Sequence, residues 1–152
     1  MVSVTQLQRQ YAEYTTSLYH EGYLNDQFMQ LQKLQDESDP DFLVGLVSVF
    51  VDDSKKLLDT LTTAFQQKTV DYKQVSLHVH RFKGSSSNIG AQRLMRVCVL
   101  FINYCKEKNL DGCLWCLQQA NHEYILVRSK FKALFKLEKQ ILKAGGSIPM
   151  ME

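Results

Sequence analysis

His80, Lys83 and Gly84 stand at i, i+3 and i+4 within the run His80-Arg81-Phe82-Lys83-Gly84-Ser85-Ser86-Ser87-Asn88-Ile89-Gly90. The surrounding apolar residues repeat at helical spacing, and positions three and four apart share one face of a helix. An imidazole in water loses its proton near pH 6.5, so a solvated one is largely neutral at pH 7 and is a competent nucleophile. Helical side chains lean toward the N-terminus, which brings the ammonium of a lysine one turn on close to an anion held on the ring. A mid-helix glycine costs about 1 kcal/mol relative to alanine, and marks a place where something must come close. The three together point to a phosphoryl group carried on His80, neutralised by Lys83 and given room by Gly84. Ser87 can add a further hydrogen bond.

Other chemistries fit this run less well. Gly84 to Gly90 lacks the G-K-[ST] ending and the preceding strand of a phosphate-binding loop. His80-Arg81 is followed by no aspartate, and there is no glycine-rich nucleotide loop, so it is not a kinase catalytic loop. Cys113-Leu114-Trp115-Cys116 has the C-x-x-C spacing of redox and zinc sites. No second such pair, paired-histidine element or βαβ pattern accompanies it, so Cys98, Cys105, Cys113 and Cys116 read as reduced packing thiols. No carboxylate cluster beside His80 offers a metal site. His20 and His122 read as surface or flank residues.

The helix carrying His80 must aim it outward. A helix turns about 100° per residue. With Val75 at the centre of the buried arc, Val79, Phe82, Ser86 and Ile89 fall within about 40° of it. His80 lies about 140° away, among Ser76, Ser87 and Lys73, and Gly84 is near the opposite pole. His78 lies about 60° from the centre and about 200° from His80, so it reads as a packing histidine that cannot share a metal with His80.

Five further helices frame that one. The first covers about residues 3–18 with Leu7, Tyr11 and Leu18 inward, and His20-Glu21-Gly22 breaks it. The second carries Leu24, Phe28, Leu31 and Leu34. After the polar run Asp36-Glu37-Ser38-Asp39-Pro40, Asp39 as N-cap and Pro40 at the first position open a third helix from about 40 to 67. Its first half is apolar nearly all round, which calls for burial on several sides or an apolar surface shown to a partner. Asp71 with Gln74 resembles a capping box opening the fourth, and Ser87-Asn88-Ile89-Gly90 closes it. The fifth holds Leu94, Val97, Cys98, Phe101, Tyr104 and Cys105, and the sixth runs from about 110 to 142 until Gly145-Gly146. The expected fold is all-α: an antiparallel four-helix bundle over residues 40–142, two additional N-terminal helices over 1–35, and a mobile tail over 143–152.

Composition agrees with a single domain. The chain has 152 residues, 45% of them apolar, enough for a sizeable core. A net charge of +2 without a basic block gives no case for nucleic acid. No apolar run approaches the roughly 20 residues that cross a bilayer, and Met1-Val2-Ser3-Val4-Thr5-Gln6 lacks the features of a signal peptide. A cytosolic or nuclear place is the expectation.

His80 through Gly90 resembles the H-Q-[LF]-K-G-S-S-x-S-[IV]-G motif of plant histidine-containing phosphotransfer proteins. The resemblance extends over nearly the whole chain. Leu24-Asn25-Asp26-Gln27-Phe28 and Gln30-Leu31-Gln32-Lys33-Leu34-Gln35-Asp36 are similar to that family's second helix, and Asp39-Pro40-Asp41-Phe42 to the start of its third. Cys113 to Gln119 and Leu134-Phe135-Lys136-Leu137-Glu138 resemble its last. The resemblance implies a phosphorelay shuttle. It accepts a phosphoryl group on His80 from the aspartate of a hybrid sensor kinase's receiver domain and passes it to a response regulator, in plants in cytokinin signalling. Lys83 takes the assisting role and Gly84 the close-approach role. Two positions depart from the pattern: Arg81 stands where the family has glutamine, and Gly45 where relatives often carry glutamate. Arg81, as a donor-only cation, bears on hydrogen bonding or receiver preference.

The expected mechanism asks little of this chain beyond the acceptor and its setting, because phosphoryl transfer depends on positioning and charge neutralisation. It is expected to act as an intermediate without kinase activity, as a monomer, with no cofactor of its own and with Mg²⁺ supplied by the receiver domain. The partner then docks around His80 over the second, third and fourth helices. Leu24, Phe28 and Leu77 are candidate apolar contacts, a place in the core being the alternative for each. A helical adaptor that binds receivers without passing phosphate is the rival reading. A metal- or redox-responsive bundle using Cys113 and Cys116 is the third.

Overall fold

A computed structural model describes residues 2–35 and 39–149. Among them there are six helices and no strand: α1 Val4–His20, α2 Asp26–Leu34, α3 Phe42–Phe65, α4 Tyr72–Ile89, α5 Gln92–Lys106 and α6 Leu110–Lys143. α3 packs on α4, α4 on α5, α5 on α6, and α6 back on α3. Short connections make each helix antiparallel to the one before, so the four close into the bundle that the apolar periodicity calls for. α1 lies against α6 and α2 against α4, so the two extra helices cover different sides.

Local chemistry sets most of the boundaries. Ser3 and Gln6 form a full capping box at α1, with Gln6 N–H donating to Ser3 Oγ at 3.1 Å and Ser3 N–H to Gln6 Oε1 at 3.0 Å. At α4 only half of the expected box forms: Asp71 Oδ1 accepts from Gln74 N–H at 3.2 Å. α3 starts later than Asp39-Pro40 predicts. Its N-cap is Asp41, which makes no side-chain cap bond, and Gly45 N–H bonds to Asp41 C=O at 2.9 Å. The preceding Asp36-Glu37-Ser38 lies outside the described residues.

The core is aromatic at its centre. The Phe131 ring of α6 lies 5.4 Å from Phe28 of α2, 6.5 Å from Phe50 of α3 and 6.2 Å from Phe135, so one side chain joins three helices. α6 spans 34 residues, about 50 Å at 1.5 Å per residue, long enough to meet the bundle with one half and α1 with the other. Tyr11 of α1 donates to Glu138 Oε1 at 3.0 Å and Tyr14 to the Lys130 carbonyl at 3.0 Å. The tail expected to be mobile from residue 143 is instead folded back over α1. Gln8 Nε2 donates to the Ser147 carbonyl at 2.9 Å, and Ile148 packs on the core. Residues 150–152 of that tail lie outside the described residues.

Of the two outcomes open to α3, surface display is the one realised. Val44, Leu46 and Val49 stay exposed while Leu43, Val47 and Phe50 are buried.

Candidate functional site

α4 holds its phase over its whole length. Val75, Val79, Phe82, Ser86 and Ile89 are its buried residues, and the opposite face carries His80. Leu77, His80, Gly84 and Ser87 are all exposed, and their spacing of three, four and three places them on one ridge. The ring of His80 is therefore in solvent, flanked one turn back by Leu77 at 55% exposure.

Lys83 and Arg81 stand on the two flanks of this ridge. Lys83 is half-buried on the side of α5. Burial pushes the Cys98 thiol of α5 up to about 12, Cys116 adding to the rise and Lys83 opposing it. Arg81 is exposed on the side of α3.

Gly84 supplies the sharpest geometric fact. A Cβ built on it meets nothing within 4 Å. Nothing in this chain demands a glycine there, yet helix propensity alone would favour alanine. The space that the missing side chain leaves is open to the outside, one turn from His80.

The end of α4 is fixed by α2. Gly90 caps the helix in the left-handed region at φ 82°, and a Cβ on it would lie 2.7 Å from Phe28 N and 2.8 Å from Asn25 Oδ1. Only glycine meets both demands. Asn25 N–H donates to the Gly90 carbonyl at 3.1 Å, and Gln27 Nε2 to the Asn88 carbonyl at 3.2 Å. α2 is thereby held alongside the ridge, where Asn25, Asp26, Gln27, Ser87 and Gln92 line an open polar cleft. The sequence names Asn25 and Gln27 only within the run resembling the family's second helix and assigns them no role; Asn25 serves as the N-cap of α2, accepting from Gln27 N–H at 3.0 Å.

Two of the three candidate apolar contacts are corrected. Leu24 is 2% exposed and Phe28 0%. Both belong to the core: the Phe28 ring lies against Phe131, and Leu24 precedes Asn25, which is tied to the Gly90 carbonyl. Leu77 alone of the three is on the surface. His78 is half-buried, as expected of a flank residue, but its Nδ1 is buried without a hydrogen-bond partner.

The cysteines are core residues. All four are buried free thiols. Cys113 lies with its sulfur 3.8 Å from that of Cys105, and burial raises each of the four thiols, Cys116 to about 11. Among the described residues no three His, Cys, Asp or Glu side chains are grouped so as to hold a metal ion, and no helix is long and apolar enough to cross a membrane.

An exposed histidine on the ridge of an antiparallel four-helix bundle, with lysine and an open glycine one turn on, defines a class, and this chain belongs to it: the Hpt domain family, whose model matches residues 45–134. It is similar along nearly its whole length to histidine-containing phosphotransfer protein 5 of Arabidopsis thaliana, at 49% identity over 99% of this chain and 97% of the relative. The crystal structure of the histidine-containing phosphotransfer protein MtHPt2 from Medicago truncatula superposes with a TM-score of 0.88 at 45% identity, covering 93% of this chain and 96% of that one. A pseudo histidine-containing phosphotransfer protein, number 6 of Arabidopsis thaliana, is 40% identical over 98% of each chain.

Proposed function

We propose that this protein is a phosphorelay mediator in which His80 is the phosphoryl acceptor. The carrying observation is the ridge: His80 exposed, with Gly84 leaving open space one turn away that this chain does not use. In the forward step a ring nitrogen of His80 attacks the phosphorus of a receiver domain's aspartyl phosphate. The P–N bond forms as the P–O bond to the aspartate breaks, and the ring's proton passes to solvent. The reverse step delivers the group to a response regulator. Lys83 neutralises the phosphoryl oxygens from the α5 flank, Ser87 can donate to them, and Leu77 gives the docking domain an apolar contact.

The remaining catalytic groups, Mg²⁺ included, come with the receiver domain, so the protein has no kinase activity and needs no cofactor of its own. The reading extends to a monomer that moves between cytoplasm and nucleus and serves cytokinin signalling, supported by the likeness to plant phosphotransfer proteins. Labelled receiver domain tests the core of it. Wild type takes up an acid-labile, base-stable phosphoryl group and His80→Gln takes up none. Labelling of His80→Gln, or a wild type that binds receivers without being labelled, would replace this account with an adaptor or another acceptor.

A further inference from the structure

α3 and α4 leave a groove of about 460 Å³ on the side of the ridge away from Lys83. Asp53, Lys56 and Thr60 line it from α3, and His78, Arg81 and Ser85 from α4. Gly84 belongs to its wall as well as to the ridge, so the groove reaches the ridge one turn from His80. None of its charged groups is in an ion pair with another described residue. The ion pairs among the described residues are Lys55–Asp59 and Arg93–Glu123, and neither involves Asp53, Lys56 or Arg81. His78 adds a buried ring nitrogen with no partner.

Two fixed cations face one carboxylate here, and a guanidinium has five donors and no acceptor. The complementary group is a carboxylate delivered by the docking protein. We propose that Arg81, with Lys56 across the groove, selects among receiver domains, favouring those that present an aspartate or glutamate on the rim facing α3 and α4. The proposal rests on the phosphotransfer reading above. Arg81 points away from the reacting atoms, about 100° round the helix from His80, so it acts on encounter and register rather than on the chemical step. Rim charges of this kind steer association and are screened by salt.

The test compares transfer from phosphorylated protein to one receiver domain in its native form and as single acid-to-lysine variants around its aspartate. The quantity read is the ratio of rate constants, native over the most affected variant. In Arg81→Gln that ratio falls about three- to fivefold relative to wild type at low salt. It falls further in Arg81→Glu, and Lys56→Ala moves it in the same direction. At about 300 mM salt the wild-type ratio shrinks toward one. A ratio that stays the same in all four proteins, while His80 is still labelled, overturns the selectivity and leaves phosphotransfer standing. A wild type that is never labelled overturns both.

Discussion

Asn25 and Gly90, from opposite sides of the α2–α4 contact, share one hydrogen bond: the Asn25 N–H donates to the Gly90 carbonyl at 3.1 Å. That bond needs the left-handed φ of 82° at Gly90 and the absence of a side chain there. Gly90→Ala is expected to lose about 2 kcal/mol or more, because the left-handed conformation alone costs an L-residue about 1–2 kcal/mol and the new methyl would press on Phe28 N and Asn25 Oδ1. Urea unfolding measures it. A loss below about 0.5 kcal/mol would mean that α2 is not held in this way.

Gly84 gives the opposite sign. Its Cβ position is open and the helix continues through it, so Gly84→Ala should gain about 0.5–1 kcal/mol of stability. The same change should slow phosphoryl uptake from a receiver domain, because the methyl stands where the partner approaches. Urea midpoints and transfer rates on one preparation decide the matter. A more stable variant with undiminished transfer would remove the close-approach role.

Lys83 is half-buried but makes no hydrogen bond or ion pair with another described side chain. Lys83→Ala should leave the melting temperature within a few degrees of wild type and slow transfer about tenfold or more, the range of one charge-assisted hydrogen bond. Rapid-quench transfer with a single receiver domain measures this. Equal rates would assign charge neutralisation to the partner alone.

Glu138 ties stability to pH. Burial holds its carboxyl above the ordinary 4.5, and the hydrogen bond from Tyr11 opposes the rise without cancelling it. The folded protein therefore keeps a proton that the unfolded chain gives up near 4.5. Between that pH and the raised folded value the native state binds more protons, so this group's contribution makes stability fall as pH rises, and the penalty is complete above the folded value. Glu138→Gln lacks this penalty. Its stability relative to wild type should climb from pH 4.5 upward and then level off. Urea midpoints across that range show it, and a difference moving the other way would refute the assignment.

The α4 ridge was legible from sequence because helical phase is a local property. Once Val75, Val79, Phe82, Ser86 and Ile89 are set inward, backbone geometry alone sends His80 and Gly84 to the far side, and the motif needs no knowledge of neighbouring helices. Helix count, the bundle class and the stop at Gly90 are local in the same sense. Leu24 and Phe28 were not decided locally, since an apolar side chain on a short helix suits a core and a docking face equally. Phe28 is buried against the Phe131 ring, and Leu24 precedes Asn25, which is tied to the Gly90 carbonyl; both partners lie far along the chain. The start of α3 at Phe42 and the folding back of Ser147 and Ile148 over α1 depended likewise on packing partners that no local pattern names. The groove of Asp53, Lys56 and Arg81, none of them in an ion pair with another described residue, exists only between two helices, because charge pairing is settled by the distance between side chains that the fold brings together and not by their order along the chain.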